Sequence, residues 1–401
     1  MTFSFIDLFS GIGGFRIALE QLGGKCIAFS EIDKNALNTY KQNFNTLEEI
    51  ELGDITKVKK LPYADLIVGG VPCQAWSIAG KNLGFDDDRG KLWFDAIQTV
   101  KKVKPKAFIF ENVKGLQDPR NLSALNLIIS ELSKLNYKVK YQVLNATDFG
   151  LPQNRERLFI VGIRKDIKDD FIFPKVSNQR KTILDILIDK TKNFNKNYYE
   201  GVEFFTFCDT RNGDTTIHSW DITECSESEK NICLLILNNR RKSKYGDKDG
   251  NPLSYEDLKN LDNSITKKDI ESLLKKKILK KVGSKLELTN SKNSSGINNI
   301  YRIYLPNSYH FATLTATGNK DFISTDFLIK KSGDIKKDFI DQIFNQKKYR
   351  KLSVKETLKM QGFPENFKTN EKESVILKQL GNAVPTNVVY AVASQLKKQL
   401  K

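Results

Sequence analysis

Leu66-Ile67-Val68-Gly69-Gly70-Val71-Pro72-Cys73-Gln74 decides the fold. The run from Leu66 to Val71 has the length of a buried strand. The polar, glycine-punctuated segment opened by Pro72 reads as a loop. Cys73 then stands at the carboxyl end of a strand, where open α/β sheets gather their chemistry. Ala107-Phe108-Ile109-Phe110 is a second buried run and leads into Glu111-Asn112-Val113. A carboxylate thus reaches the same sheet edge. A nucleophile and an acid on neighbouring strand ends suggest covalent catalysis.

Outward from these two strands, the rhythm is that of a doubly wound, mostly parallel sheet. Phe3 to Leu8 reads as the first strand, and Gly11-Ile12-Gly13-Gly14 as the turn into a helix. Cys26 to Phe29 is the second strand, ending at Glu31, and Tyr137 to Leu144 with Leu158 to Gly162 form a closing pair. After about Asn178 lysine, asparagine and aromatic residues dominate, and the α/β rhythm returns only near Lys351. The expected division is a catalytic and cofactor-binding part over 1–177, a smaller irregular part over 178–335, and a return to the first part over 336–401. Thr266 and Asp269 form a capping box before a helix burying Ile270, Leu273, Leu274 and Ile278, followed by a strand from Val282 to Leu288. The lysines around that helix fit a DNA-contacting element or a solvated face. Pro385 suits the first turn of a last helix carrying Val388, Val389, Val392 and Leu396.

Composition bounds the partners. Of 401 residues 39% are apolar and 28% charged, which describes a globular chain. The net charge of +17 points to a polyanion such as nucleic acid, or to a lysine-rich soluble surface. Cysteines 26, 73, 208, 225 and 233 form no CxxC pair, so neither a metal site nor a disulfide framework is expected. The thiols suit a reducing, cytosolic setting. The start of the chain lacks the basic leader of a signal peptide, and no apolar run reaches membrane-spanning length.

Individual residues carry two readings each. Phe9, Gly11 and Gly13 lie in a glycine-rich turn that lets a ligand, or the helix itself, approach the backbone. Glu31 and Asp54 suit ribose hydroxyls and an adenine amino group, or are plain helix caps. In this order the three features favour an adenosine-bearing cofactor. Cys73 is a nucleophile or a buried thiol, and Glu111 an acid or a cap. Alternation along a strand places Arg155 and Arg157 on one face, as a clamp on an anion or base carbonyl, or as a charged edge.

These stretches, together with Gly53-Asp54-Ile55, Gln153 to Arg157 and Gly381-Asn382-Ala383-Val384, resemble in order and spacing the bacterial restriction–modification type of DNA cytosine-5 methyltransferase. The resemblance covers the first domain and the C-terminal return. It implies a Rossmann-like domain that binds S-adenosylmethionine, and a middle region that recognises the target. Carried over residue by residue, it makes Cys73, Glu111, Arg157 and Arg155 catalytic. It puts Phe9, Gly11, Gly13, Glu31, Ile32, Asp54, Ile55, Pro72, Leu92, Asn382 and Val384 around the cofactor. Several relatives have a tryptophan where this chain has Ile32, so stacking on adenine is lost. Gln74, Ser77 and Arg89 match a loop that closes over DNA, with Gly80, Gly84 and Gly90 as hinges. Arg211, Arg240 and Arg241 are the arginines of the middle region placed to meet DNA, and Thr313 to Ala316 resemble a segment that organises that region. The implied partner is double-stranded DNA, acted on by a cytoplasmic, nucleoid-associated monomer beside a separate restriction endonuclease. Competing readings are an RNA methyltransferase on the same scaffold, a regulator without activity and, from the fold rhythm alone, an NAD-linked oxidoreductase.

Overall fold

The computed structural model describes residues 2–72, 88–168, 170–176, 180–189, 197–292, 296–318, 320–369 and 372–400. The chain forms two compact units, one of 1–188, 309–319 and 353–401, the other of 189–308 and 320–352. The first unit therefore continues past the sequence boundary at 177 and takes back a short middle stretch around Thr313.

The first unit is built on seven strands: β1 Phe3–Leu8, β2 Gly24–Phe29, β3 Ile50–Glu51, β4 Leu66–Gly70, β5 Ala107–Val113, β6 Tyr137–Asn145 and β7 Glu156–Arg164. Their spatial order is β3-β2-β1-β4-β5-β7-β6. The five strands from β3 to β5 are parallel, and β7 runs antiparallel to both neighbours. The strand order reverses between β1 and β4, the kind of position where open α/β sheets bind ligands.

Helices cover both faces because the strands are apolar on both. On one face Phe5, Val68 and Ile109 meet Phe15 and Leu19 of α1 Gly14–Gln21 and Val388, Val392 and Leu396 of the last helix, Thr386–Leu396. The C-terminus thus returns to the first unit as its valine pattern predicts. Pro385 precedes the first helical residue instead of lying within the first turn. Helix α2 spans Lys34–Asn43 and α3 spans Asp88–Val103. On the other face Ile67, Phe108 and Phe110 pack on Trp93 and Val100 of α3 and Leu125 and Ile128 of α4 Leu122–Lys134. Each fully buried Phe or Leu contributes roughly 1.5–3 kcal/mol, so the two layers together fix the strand ends.

The second unit holds a five-stranded sheet that its sequence did not announce. Its strands are β8 Phe204–Phe207, β9 Thr216–Ile217, β12 Arg302–Tyr304, β13 Asp321–Ser324 and β14 Tyr349–Arg350; the hairpin β10 Leu279–Val282 and β11 Lys285–Leu288 stands apart. Strands of two to four residues are too short for a period-two signal. The expected single strand from Val282 is instead this hairpin, turned at Gly283 with φ of 61°. Among the described residues no helix is long and apolar enough to cross a membrane.

Candidate active site

The carboxyl ends of β1, β2, β4 and β5 open on one cavity of about 370 Å³, which lies wholly within the first unit. Phe9, Gly11, Glu31, Ile32, Asp54, Ile55, Pro72, Leu92, Asn382 and Val384 all line it, as do Glu111, Arg155 and Arg157. Of the expected cofactor residues Gly13 alone is not in the lining. Its φ is 91° and an added Cβ would lie 2.3 Å from the Phe44 ring, so glycine there serves the turn and the packing behind it. Phe9 has φ of 53°, a left-handed conformation that a side-chain-bearing residue adopts at a cost and that clusters at functional sites.

Glu31 organises the loop it faces. One carboxylate oxygen accepts the Gly11 amide at 2.8 Å, and the other accepts the amides of Ile32 and Asp33, each at 2.8 Å. A carboxylate has about four acceptor positions, so one remains for a hydroxyl in the cavity. Asp54 caps the turn Ile55–Lys57 by accepting from the Thr56 amide and hydroxyl. These bonds hold its carboxyl below the usual carboxylate range. Cap and cavity wall are here the same residue.

Glu111 and Arg157 face each other at the ends of β5 and β7. Arg157 Nε lies 2.9 Å from Glu111 Oε1, and both side chains are largely buried. Burial raises the Glu111 carboxyl, while Arg157 and then Arg155 pull it back; the net direction is up. Asn112 donates through Nδ2 to the Val71 carbonyl at 2.9 Å, tying β5 to the segment that ends in Pro72. Cys73, Gln74, Ser77, Gly80 and Gly84 lie outside the described residues, and Gly90 falls in α3. Arg89 is the second residue of α3, with its side chain outside the described set.

Arg155 lines the cavity with Arg157, but its guanidinium is engaged by main-chain carbonyls. It precedes β7, so strand alternation does not govern it. Its buried guanidinium donates to the carbonyls of Leu314 at 2.8 Å, Gly381 at 3.0 Å and Ala383 at 2.7 Å. Arg155 is thus a tie between the chain entering β7, the returning stretch around Thr313, and the C-terminal return. Gly381 explains itself in the same place: a Cβ there would meet the Thr315 carbonyl carbon at 2.4 Å and the Ala316 nitrogen at 2.5 Å.

The lining also includes residues absent from the sequence expectations. Ser10 lines the cavity with a buried hydroxyl that has no partner among the described residues. It stands between Phe9 and Gly11, so the glycine turn itself could have flagged it. Lys378 and Gln379 reach the cavity from the helix Glu373–Asn382, and no local pattern marks them.

In the second unit Arg240 departs from its expected role. It is buried, donates to the Ser291 carbonyl at 2.9 Å, and burial lowers its guanidinium. An added Cβ on Gly250 would lie 1.9 Å from its terminal nitrogen, so the loop closes directly over it. Arg240 holds that loop and is not available to DNA. Arg241 is half exposed and paired with Asp249 at 2.8 Å, and Arg211 is exposed.

Residues 3–398 match the model of the C-5 cytosine-specific DNA methylases. The chain belongs to that family. It is therefore a DNA (cytosine-5) methyltransferase on a Rossmann-like α/β scaffold. Among similar proteins, the Type II methyltransferase M.HgiBI of Herpetosiphon aurantiacus is 44% identical over 98% of this chain and 96% of its own. The Type II methyltransferase M.NlaIV of Neisseria lactamica is 33% identical over 98% of each. Solved structures with the same fold include a mutant of Spodoptera frugiperda DNMT2, with a TM-score of 0.57, 17% identity and coverage of 98% of this chain and 99% of the other. The Dnmt2 methyltransferase of S. pombe aligns with a TM-score of 0.56, 13% identity and coverage of 99% of each chain.

Proposed function

We propose that the protein methylates a cytosine flipped out of duplex DNA within a specific short sequence, using S-adenosylmethionine and a covalent Cys73 adduct, as the modification half of a restriction–modification system. The observation that carries this reading is the Glu111–Arg157 pair. It borders the same cavity as Gly11, Glu31 and Asp54, and Pro72, next to Cys73, is also in the lining.

The cavity suits the cofactor. The uncapped amides at the start of α1 and the orphaned Ser10 hydroxyl offer donors to a carboxylate. Glu31 offers an acceptor to ribose, Asp54 one to an amino group, and Ile32, Ile55 and Leu92 an apolar bed. When bound, S-adenosylmethionine supplies an electrophilic methyl group. Ile32 is 73% exposed at the cavity wall. Ile32→Trp should tighten cofactor binding by roughly two- to tenfold, the worth of an aromatic stack. Titration of S-adenosylmethionine by calorimetry measures this; an unchanged or weaker Kd removes Ile32 from the adenine site.

The chain's own residues divide the chemistry. The Cys73 thiolate attacks carbon 6 of the base and breaks its aromaticity, which makes carbon 5 a nucleophile. Glu111 holds the proton at ring nitrogen 3 as charge develops there, and Arg157 orients Glu111 and meets the base carbonyl. After methylation the carbon-5 proton leaves and the Cys73–carbon bond breaks, regenerating the thiolate. The base is out of reach within a duplex, so it must be extruded. The enzyme acts as a cytoplasmic monomer, and its cognate endonuclease is a separate protein.

Base-resolution mapping of 5-methylcytosine in DNA from a host expressing the protein, beside a Cys73→Ser control, tests the reading. One short motif methylated by the unmutated chain alone is the expected result. An unmethylated genome in the presence of folded protein transfers the reading to RNA, and methylation by the serine variant removes the thiol from the mechanism.

A further inference from the structure

The second unit contains a small module with its own core. Helix Glu227–Asn239 comes first, Leu253 then pairs with Leu286, helices Tyr255–Leu261 and Lys267–Lys275 follow, and the β10–β11 hairpin closes the order. Helix, a single bridging residue laid against the hairpin, helix, helix and hairpin follow the order of a winged helix-turn-helix, with the one-residue bridge Leu253–Leu286 in place of its first strand. Its core of Ile232, Ile236, Leu258, Leu273 and Leu286 is separate from that of the five-stranded sheet. The second and third helices both begin with reciprocal caps, Ser254 with Asp257 and Thr266 with Asp269. Asp262 accepts from the Ser264 amide and hydroxyl within the connecting turn. The turn between these helices is therefore closely specified.

The exposed charges of the third helix and the hairpin are mostly basic. The third helix buries Ile270 and Leu273 and exposes Lys267, Lys268, Glu271 and Lys275, while the wing exposes Lys280 and Lys281. Lys280 is paired with Glu287, and Lys276 with Glu229. Lys268, Lys275 and Lys281 have no ion pair among the described residues. A solvated helix face would account for lysines on the helix. It does not account for unpaired lysines on both the third helix and the wing of one module, the two elements such a fold turns toward DNA.

We propose that helix Lys267–Lys275 enters the major groove of the DNA substrate while the β10–β11 wing follows the adjacent phosphates. This rests on the reading that the substrate is duplex DNA. Lys268, Lys275 and Lys281 meet phosphates, and Glu271 accepts from a cytosine amino group.

The test compares the full-length protein with Lys268→Gln/Lys275→Gln/Lys281→Gln, using fluorescence anisotropy on a labelled duplex bearing the methylated motif. Loss of three phosphate contacts lowers the slope of log K against log salt by roughly 2.7 and weakens binding at 0.1 M salt on the order of a hundredfold. Single Lys275→Gln, with a slope change of about 0.9, serves if the triple variant melts early. Unchanged slope and affinity in a folded variant overturn the proposal. Methyl transfer by the unmutated enzyme is followed in parallel. Its complete absence on any duplex defeats the catalytic reading, whereas active wild type with unaltered variant binding defeats only the module.

Discussion

Glu111→Gln lowers kcat by roughly 10²–10⁴-fold and leaves duplex affinity nearly unchanged. The substitution keeps the shape of the side chain and an acceptor for Arg157 Nε, 2.9 Å away in the unmutated protein. What it removes is the proton that a carboxyl can hold toward a base nitrogen. Burial raises the Glu111 carboxyl above its ordinary range despite Arg157. The sign follows: the protonated form persists to higher pH than in a free glutamate, and activity depending on it falls as pH rises through that raised value. Wild-type kcat/KM should therefore lose its acid-dependent component on the alkaline side, and the glutamine variant should lack that limb. Single-turnover methylation across pH, beside anisotropy measurements of DNA binding, reads both effects. A variant that loses DNA affinity while keeping its rate on bound DNA would make Glu111 a structural residue.

The parts of this site that were legible share one property: their sequence signal and their physical cause are local. β4 and the first part of β5 are buried on both faces, so Leu66 to Val68 and Ala107 to Phe110 run apolar and announce themselves. The turn after β1 needs glycine because Gly11 and Gly13 take positive φ. Glu31 and Asp54 stand where β2 and the chain beyond β3 end, and both double as loop caps. The capping box at Thr266 and Asp269 is likewise a four-residue signal. Even there the helix stops at Lys275, two residues before Lys277 takes a positive φ, so Ile278 is buried from outside the helix and Leu274 only half buried.

The readings that changed depend on partners far away in sequence. Arg240 looks like any exposed guanidinium until the loop from Gly246 to Asn251 is seen to close over it. Lys378 and Gln379 border the cavity only because the C-terminal return brings their helix there. The Thr313 to Ala316 stretch, matched to a segment that organises the middle region and counted within 178–335, is carried in the first unit, against Gly381 and Arg155. Chain order alone cannot reveal a segment that leaves one unit and returns to another for eleven residues.

Arg155→Ala should destabilise the first unit by about 3–5 kcal/mol, with a fall in Tm on the order of 10 °C. The guanidinium donates to carbonyls in two separate stretches, Leu314 on one side and Gly381 and Ala383 on the other. Removing it leaves those buried acceptors without their shared charged donor, each such bond being worth roughly 1.5–3 kcal/mol before relaxation. Arg155→Lys should recover less than half, because one ammonium cannot reproduce a planar fork reaching three carbonyls. The loss also reaches function, since Asn382 and Val384 flank Ala383 and both line the cavity. S-adenosylmethionine affinity should therefore fall together with Tm in both variants. Thermal melting and cofactor titration on the same preparations distinguish this from the clamp that strand alternation suggested. A clamp on the base would leave Tm and cofactor Kd intact and abolish only turnover, and that outcome would return Arg155 to the catalytic group.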